Sequence, residues 1–97
     1  YLAERLDRGF EAFKECRVNI TEKPSTYLKR FYYDTVNFNH DALQLAITFA
    51  GASQILAGSD YPHQIGSIPK MKEAIAQLDD AQQIFGANAD RALRLKR

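Results

Sequence analysis

The sequence predicts an α/β fold in which two strands alternate with helices. Residues 31–36 and 54–58 are short runs rich in aromatic, β-branched or aliphatic side chains, and segments with helical periodicity separate and follow them. Strands connected by helices of this length pair in parallel through crossover connections. Two parallel strands cannot cover both faces and both edges of a sheet, so we expect residues 1–97 to form a single, partial domain.

The first helix is predicted over residues 1–17. Its apolar side chains recur at intervals of three or four positions among charged ones: Leu2, Leu6, Phe10 and Phe13. We expect this row to be the buried face of the helix. Pro24 then interrupts the pattern, and Ser25 is predicted to cap a short helical turn that runs to residue 29.

The first strand, residues 31–36, leads into a helix with clear boundary signals. Asn39 is a suitable N-cap, Asp41 lies in the first turn where the helix dipole favours an anion, and Gly51 is a typical C-terminal stop. The apolar stripe of this helix is Leu43, Ala46, Ile47 and Ala50. Residues 54–58, "QILAG", form the second predicted strand.

A loop over residues 59–68 follows the second strand. Pro69 suits the first position of the next helix, since proline lacks the N–H that this position leaves unpaired. The last segment predicts two short helices that are split at Gly86.

Composition limits the classes of function. The charges are nearly balanced, with 13 Lys and Arg against 12 Asp and Glu, and they are scattered, so we expect no nucleic-acid partner. Cys16 is the single cysteine, which excludes an internal disulfide and favours a reducing, cytoplasmic setting. The apolar runs are far shorter than the roughly 20 residues of a membrane span, so we expect a soluble protein without a membrane partner.

Asp60 is the first candidate for a chemical role. It follows the second predicted strand, and parallel α/β folds collect reacting groups at the carboxyl ends of their strands. Gly58 and Ser59 permit a tight turn before it, and Pro62 keeps Tyr61 out of helical conformation. An ordinary turn is the alternative explanation, because an aspartate before such a proline also accepts hydrogen bonds from nearby backbone amides.

The two histidines are further candidates. His63 lies three residues beyond Asp60 on the same loop, and His40 lies in the first turn of a predicted helix near the end of the first strand. A divalent metal site needs about three protein ligands, and a lone loop histidine is more often a surface or hydrogen-bonding residue. These residues alone therefore do not define a metal site.

Three motifs together point to a known family. They are "GSDYP" around Asp60, the "FYYDT" strand followed by its helix, and "FGANADRAL" near the C-terminus. The chain, from residue 1 to about residue 95, resembles the C-terminal portion of the amidohydrolase-related family, in the branch of aminocarboxymuconate-semialdehyde decarboxylase. The resemblance implies the C-terminal fragment of a (β/α)8 barrel, with residues 31–36 as the seventh strand and 54–58 as the eighth.

The resemblance also implies roles for individual residues. Family members are metal-dependent decarboxylases, hydratases or hydrolases of small carboxylates, so Asp60 is expected to be a metal ligand and a catalytic residue, and Arg5 to bind a substrate carboxylate. The zinc or manganese ion of the parent enzyme needs histidines of earlier strands that this sequence does not contain. A whole barrel takes about 250 residues. We therefore expect the isolated chain to bind no metal, to be inactive, and to associate with itself or with the rest of the barrel.

Two other hypotheses remain open. The chain could be a structural or oligomerising α/β fragment, without a catalytic role, that pairs through its exposed strand edges. It could also be a small nucleic-acid or peptide-binding domain, for which the sequence offers only scattered positive charge and one aromatic strand.

Overall fold

The computed structural model describes residues 1–96, which divide into two compact units, one over Tyr1–Phe31 and one that begins at Tyr32. The helices and strands are α1 Ala3–Ala12, α2 Pro24–Leu28, β1 Tyr33–Asp34, α3 His40–Ala50, β2 Ile55–Leu56, α4 Ile68–Ala76 and α5 Asn88–Ala92. The chain is thus α/β with two parallel strands, as predicted. That residues 1–97 form a single partial domain stays a prediction.

In the N-terminal unit, the carboxylate of Asp7 joins α1 to α2. Asp7 is 8% exposed and accepts hydrogen bonds from the N–H of Ser25 at 2.9 Å and from its hydroxyl at 2.6 Å. Ser25 therefore does not cap α2 as predicted. The helix begins at Pro24, and the carboxylate from α1 satisfies an N–H of its first turn that has no partner within the helix. Lys23 and Glu11 form a second link at 2.7 Å.

The predicted buried face of α1 is largely exposed. The helix ends at Ala12 because Phe13 is extended, with φ −121° and ψ 125°. Leu2, Leu6 and Phe13 are 61%, 47% and 59% exposed. The prediction of a buried face was wrong because periodicity marks an apolar row on a helix but does not supply the surface that covers it.

The second unit is built around the parallel pair of strands. Tyr33 lies opposite Ile55, and Asp34 lies opposite Leu56. Both strands are shorter than predicted. In β1 this is because the Asp34 carboxylate accepts a hydrogen bond from the N–H of Val36 at 2.9 Å, which turns the backbone out of the ladder.

Helix α3 follows its predicted signals. The side chain of Asn39 accepts a hydrogen bond from the N–H of Ala42 at 3.0 Å, and Gly51 ends the helix with φ +90°. With β2, α4 and the C-terminal segment, α3 encloses a small core whose members are at most 6% exposed: Leu43, Ile55, Ala74, Ile75, Leu78 and Ile84.

The C-terminal segment differs from its prediction. The chain does not break at Gly86 but passes through a π-helical turn, Gln83–Ala87, directly into α5. A glycine lowers helix stability by only about 1 kcal/mol, and here the fully buried side chains of Ile84 and Asn88 lie on either side of it.

The start of α4 also differs from its prediction, by one residue. Pro69 is the second residue of α4 and not the first, because Ile68 is the first helical residue and Ser67 its N-cap.

Each helix that the structure shows within residues 1–96 is too short or too polar to cross a lipid bilayer.

Candidate active site

Asp60 lies in the loop that follows β2, beyond the carboxyl edge of the two-stranded sheet. Its backbone is in the left-handed region, with φ +55°, which aspartate adopts more readily than most residues. The side chain is 45% exposed, so the carboxylate is open to solvent. This is the location that the sequence predicts, while the role of the carboxylate stays a prediction.

Short backbone hydrogen bonds fix the loop around Asp60. The carbonyl oxygen of Asp60 accepts from the N–H of His63 at 2.8 Å, and that of Ser59 accepts from the N–H of Ser67 at 2.8 Å. Gly66 packs directly against this backbone: a Cβ there would overlap the carbonyl group of Asp60 and lie 2.8 Å from the carbonyl oxygen of Ser59. Only glycine fits without a shift of the loop.

The end of β1 is tied to the same loop. Thr35, which is fully buried, accepts a hydrogen bond from the N–H of Gly58 at 3.0 Å and donates one to its carbonyl oxygen at 3.1 Å. A Cβ on Gly58 would lie 3.0 Å from the Cβ of Asp34, so the two strand ends are in close contact. Sequence reasoning missed this role of Thr35, because threonine is an ordinary residue in a strand and nothing in the pattern distinguishes it.

Asp60 and His63 form the polar pair of the site. The carboxylate Oδ2 lies 3.9 Å from Nδ1 of His63, whose side chain is 64% exposed. Nδ1 also accepts a hydrogen bond from the N–H of Ile65 at 3.4 Å. The pair presents one carboxylate and one imidazole to solvent, which are groups that can exchange protons or bind a cation.

These residues alone do not complete a divalent metal site. Zinc takes about four ligands, of which at least three usually come from the protein. Nowhere in residues 1–96 do three or more His, Cys, Asp or Glu side chains come together in a way that could hold an ion. Asp60 with His63 therefore fits only a part of such a coordination shell.

The other predicted candidates lie on helices. Arg5 is an exposed residue of α1, in the N-terminal unit, and its substrate-binding role stays a prediction. His40 is the first residue of α3 and is also exposed. Among the described residues, His40 does not join Asp60 and His63 in a group of three that could hold a metal ion.

A groove of about 430 Å³ lies beside the loop that follows β1. Its lining comes from residues 37–39 of that loop and from Lys70, Glu73, Ala74 and Gln77 along α4 and its C-terminal end. Asp60 and His63 are not part of this lining, so the groove is separate from the polar pair.

Asn88, in the "FGANADRAL" motif, anchors the start of β2. It is fully buried, and its Nδ2 donates hydrogen bonds to the carbonyl oxygens of Ala52 and Ile55, both at 2.8 Å. Its Oδ1 accepts from Arg91 at 3.0 Å, and Arg91 also donates to the carbonyl oxygen of Ser53 at 2.8 Å. The sequence analysis used this motif only for the family resemblance and assigned no structural role to Asn88 or Arg91.

Comparison with known proteins is consistent with the motifs. No family model matches the chain. The chain is 26% identical over 90 residues to the 2-amino-3-carboxymuconate-6-semialdehyde decarboxylase of Dictyostelium discoideum, and the match covers 88% of this chain and 25% of that protein. This similarity confirms the predicted resemblance to the decarboxylase branch of the amidohydrolase-related family.

The fold is also found in a solved structure. The crystal structure of Metarhizium anisopliae IDCase in apo form matches with a TM-score of 0.77 and 23% identity, over 99% of this chain and 31% of that chain. At this level of identity the match shows the fold alone. This chain thus spans 25% of the decarboxylase and 31% of IDCase.

Proposed function

We propose that this chain is the C-terminal part of a metal-dependent (β/α)8-barrel enzyme that acts on a small carboxylate substrate as a decarboxylase or a hydrolase. In this proposal β1 and β2 are the seventh and eighth strands of the barrel. The similarity to the decarboxylase supports the class of reaction, and the fold match to IDCase supports the arrangement of the strands.

The position of Asp60 carries the proposal. An exposed carboxylate lies just beyond the carboxyl edge of a parallel pair of strands, where barrel enzymes collect their reacting groups. Thr35 and Gly66 hold the loop from two sides, so the backbone that presents the carboxylate is fixed.

The proposed roles follow from chemistry and resemblance. Asp60 is proposed as a metal ligand and as a catalytic carboxylate, which can accept a proton in its ionised form. The zinc or manganese ion belongs to the parent enzyme, and its remaining ligands come from polypeptide outside this stretch. Arg5 is proposed to bind the substrate carboxylate, since a guanidinium pairs with a carboxylate through two parallel hydrogen bonds.

The isolated chain is proposed to be inactive and to bind divalent metal weakly. One carboxylate and one imidazole do not offset the cost of removing water from the ion. Isothermal titration of the chain with zinc and with manganese tests this directly. We expect no saturable binding in the micromolar range, and a micromolar site that the Asp60→Asn variant removes would contradict the proposal.

The enzymatic part of the proposal is tested on the product of the complete reading frame. Release of carbon dioxide, or hydrolysis, is measured with small aromatic and unsaturated carboxylates as substrates. We expect activity that depends on added zinc or manganese and that the Asp60→Asn variant loses. An active protein whose activity is unchanged by Asp60→Asn would remove Asp60 from the site.

The alternative of an oligomerising fragment is favoured by one observation. The apolar row of α1 is exposed, and exposed apolar surface of this kind promotes association. We propose that the chain associates with the rest of the barrel or with itself. Size-exclusion chromatography with light scattering distinguishes the cases: a monomer that stays soluble at high concentration argues against self-association.

The single, exposed Cys16 supports a proposed cytoplasmic location.

A further inference from the structure

The backbone of His63 is held on both sides. Its N–H donates to the carbonyl oxygen of Asp60 at 2.8 Å, and its carbonyl oxygen accepts from the N–H of Gly66 at 2.9 Å. Gly66 in turn has no room for a side chain against the carbonyl group of Asp60. The side chain of His63 therefore leaves the loop from a fixed backbone position, three residues after the candidate metal ligand.

One nitrogen of the His63 imidazole is turned toward the loop. Nδ1 accepts from the N–H of Ile65 at 3.4 Å, and it lies 3.9 Å from Oδ2 of Asp60, which is beyond hydrogen-bond distance. Because Nδ1 acts as an acceptor, the proton of the neutral ring is on Nε2. The charged ring also carries a proton on Nε2, so this nitrogen is a donor in either form.

Within residues 1–96, Nε2 of His63 has no hydrogen-bond partner. The polar contacts of the imidazole are those of Nδ1 with Ile65 and Asp60, and the side chain is 64% exposed. An oriented N–H donor thus faces solvent beside a carboxylate that is itself 45% exposed. Asp60 cannot bind a substrate carboxylate directly, because both are anionic acceptors, whereas Nε2 supplies a donor.

We propose that His63 is a substrate-binding residue, whose Nε2–H donates a hydrogen bond to an oxygen of the small carboxylate on which the parent enzyme acts. This inference rests on the proposed function, in which Asp60 is a metal ligand. Hydrogen bonds to a charged acceptor are the stronger ones, and a donor that is already oriented loses little freedom when it binds. A carboxylate accepts several hydrogen bonds, so this role is compatible with the one proposed for Arg5.

Two substitutions separate substrate binding from a role in holding the loop. In His63→Asn, the side-chain oxygen takes the place of Nδ1 and accepts from the N–H of Ile65, as in an Asx turn, but no group remains at the position of Nε2. In His63→Gln, the longer amide carries an N–H to the region of Nε2 and leaves Ile65 without its acceptor. The two roles therefore predict opposite orders of effect.

Steady-state kinetics of the complete reading-frame product, with the carboxylate that it turns over, measure the outcome. We expect His63→Asn to raise KM about tenfold or more and to change kcat by less than about threefold, because the lost bond is made in both the ground state and the transition state. His63→Gln should stay within about threefold of the unaltered KM. His40→Asn, which replaces another exposed imidazole, should leave KM and kcat unchanged.

Metal content keeps this inference apart from the proposed function. All three histidine variants should retain the ion that Asp60→Asn loses. An unchanged KM in His63→Asn, a larger effect in His63→Gln than in His63→Asn, or loss of the ion from His63→Asn overturns the inference and leaves the proposed function standing. A product without metal-dependent activity, or an Asp60→Asn protein with full activity and metal content, overturns the proposed function and the inference with it.

Discussion

The hydroxyl of Thr35 exchanges two hydrogen bonds with the backbone of Gly58, accepting from its N–H at 3.0 Å and donating to its carbonyl oxygen at 3.1 Å. These bonds extend the contact between the strands beyond their last backbone pair, Asp34 and Leu56. They also fix the chain just ahead of Asp60. Both strands, and not β2 alone, therefore position the candidate carboxylate.

Replacement of Thr35 by valine tests this connection. Valine has nearly the same shape but cannot bond, so both backbone groups of Gly58 lose their partner in a partly buried place. We expect Thr35→Val to lower the free energy of unfolding by about 1–3 kcal/mol, as measured by urea denaturation.

Two variants control for the change in side-chain type. Thr35→Ser keeps the hydroxyl and should retain most of the stability. Thr48→Val removes an exposed hydroxyl that bonds to the carbonyl oxygen of Gln44 within α3, and we expect a change of less than about 0.5 kcal/mol. Equal effects of Thr35→Val and Thr48→Val would show that the bonds to Gly58 do not hold the strand ends together.

Gly66 is expected to tolerate no side chain. An added Cβ overlaps the carbonyl group of Asp60, so Gly66→Ala must displace the loop and should cost about 2 kcal/mol or more. Gly86→Ala is the matched control, because a Cβ there meets nothing within 4 Å and the site is helical. Chemical-shift changes in Gly66→Ala should concentrate in residues 59–67. A stable Gly66→Ala variant with unchanged shifts in that loop would contradict the close contact.

Asp7 makes the stability of the N-terminal unit depend on pH. Hydrogen bonds from the Ser25 hydroxyl and then from its N–H hold the pKa of the Asp7 carboxyl below its ordinary value of 3.8. Because the folded-state pKa is the lower one, this stabilisation is fully present above about pH 3.8 and is lost as the pH falls through the folded-state value.

An NMR titration of the Asp7 side-chain carbon measures this shift. We expect a midpoint below 3.8 in the unaltered chain and a midpoint closer to 3.8 in Ser25→Ala. Asp7→Asn removes the titrating carboxyl, so α1 and α2 should lose less structure at low pH in this variant than in the unaltered chain. An unshifted midpoint in the unaltered chain would mean that the link between Asp7 and Ser25 does not form in solution.

Local signals predicted the elements of the second unit well. The cap at Asn39, the stop at Gly51 and the parallel order of the strands are all visible in residue type and spacing. The boundary at Gly86 was mispredicted because intrinsic helix propensity is a weak term, and the buried contacts of Ile84 and Asn88 outweigh it. The exposed face of α1 shows the same limit, since what covers a helix is a matter of tertiary contacts.

The candidate site was predictable only in part. The spacing of Asp60 after a buried run, with a small-residue turn before it, located the carboxylate. The residue that ties β1 to this loop was not predictable, because Thr35 acts through hydrogen bonds to the backbone of Gly58, which is distant in sequence. A backbone carbonyl group has no sequence signature, so such contacts emerge only from the three-dimensional structure.

The metal content of the complete reading-frame product tests the central claim most directly. Elemental analysis after exhaustive dialysis should find about one zinc or manganese ion per chain in the unaltered protein and a clear loss in Asp60→Asn. The exposed Asp79 provides the control, and Asp79→Asn should retain the ion. A folded Asp60→Asn protein that keeps its full metal content would contradict the assignment of Asp60 as a metal ligand.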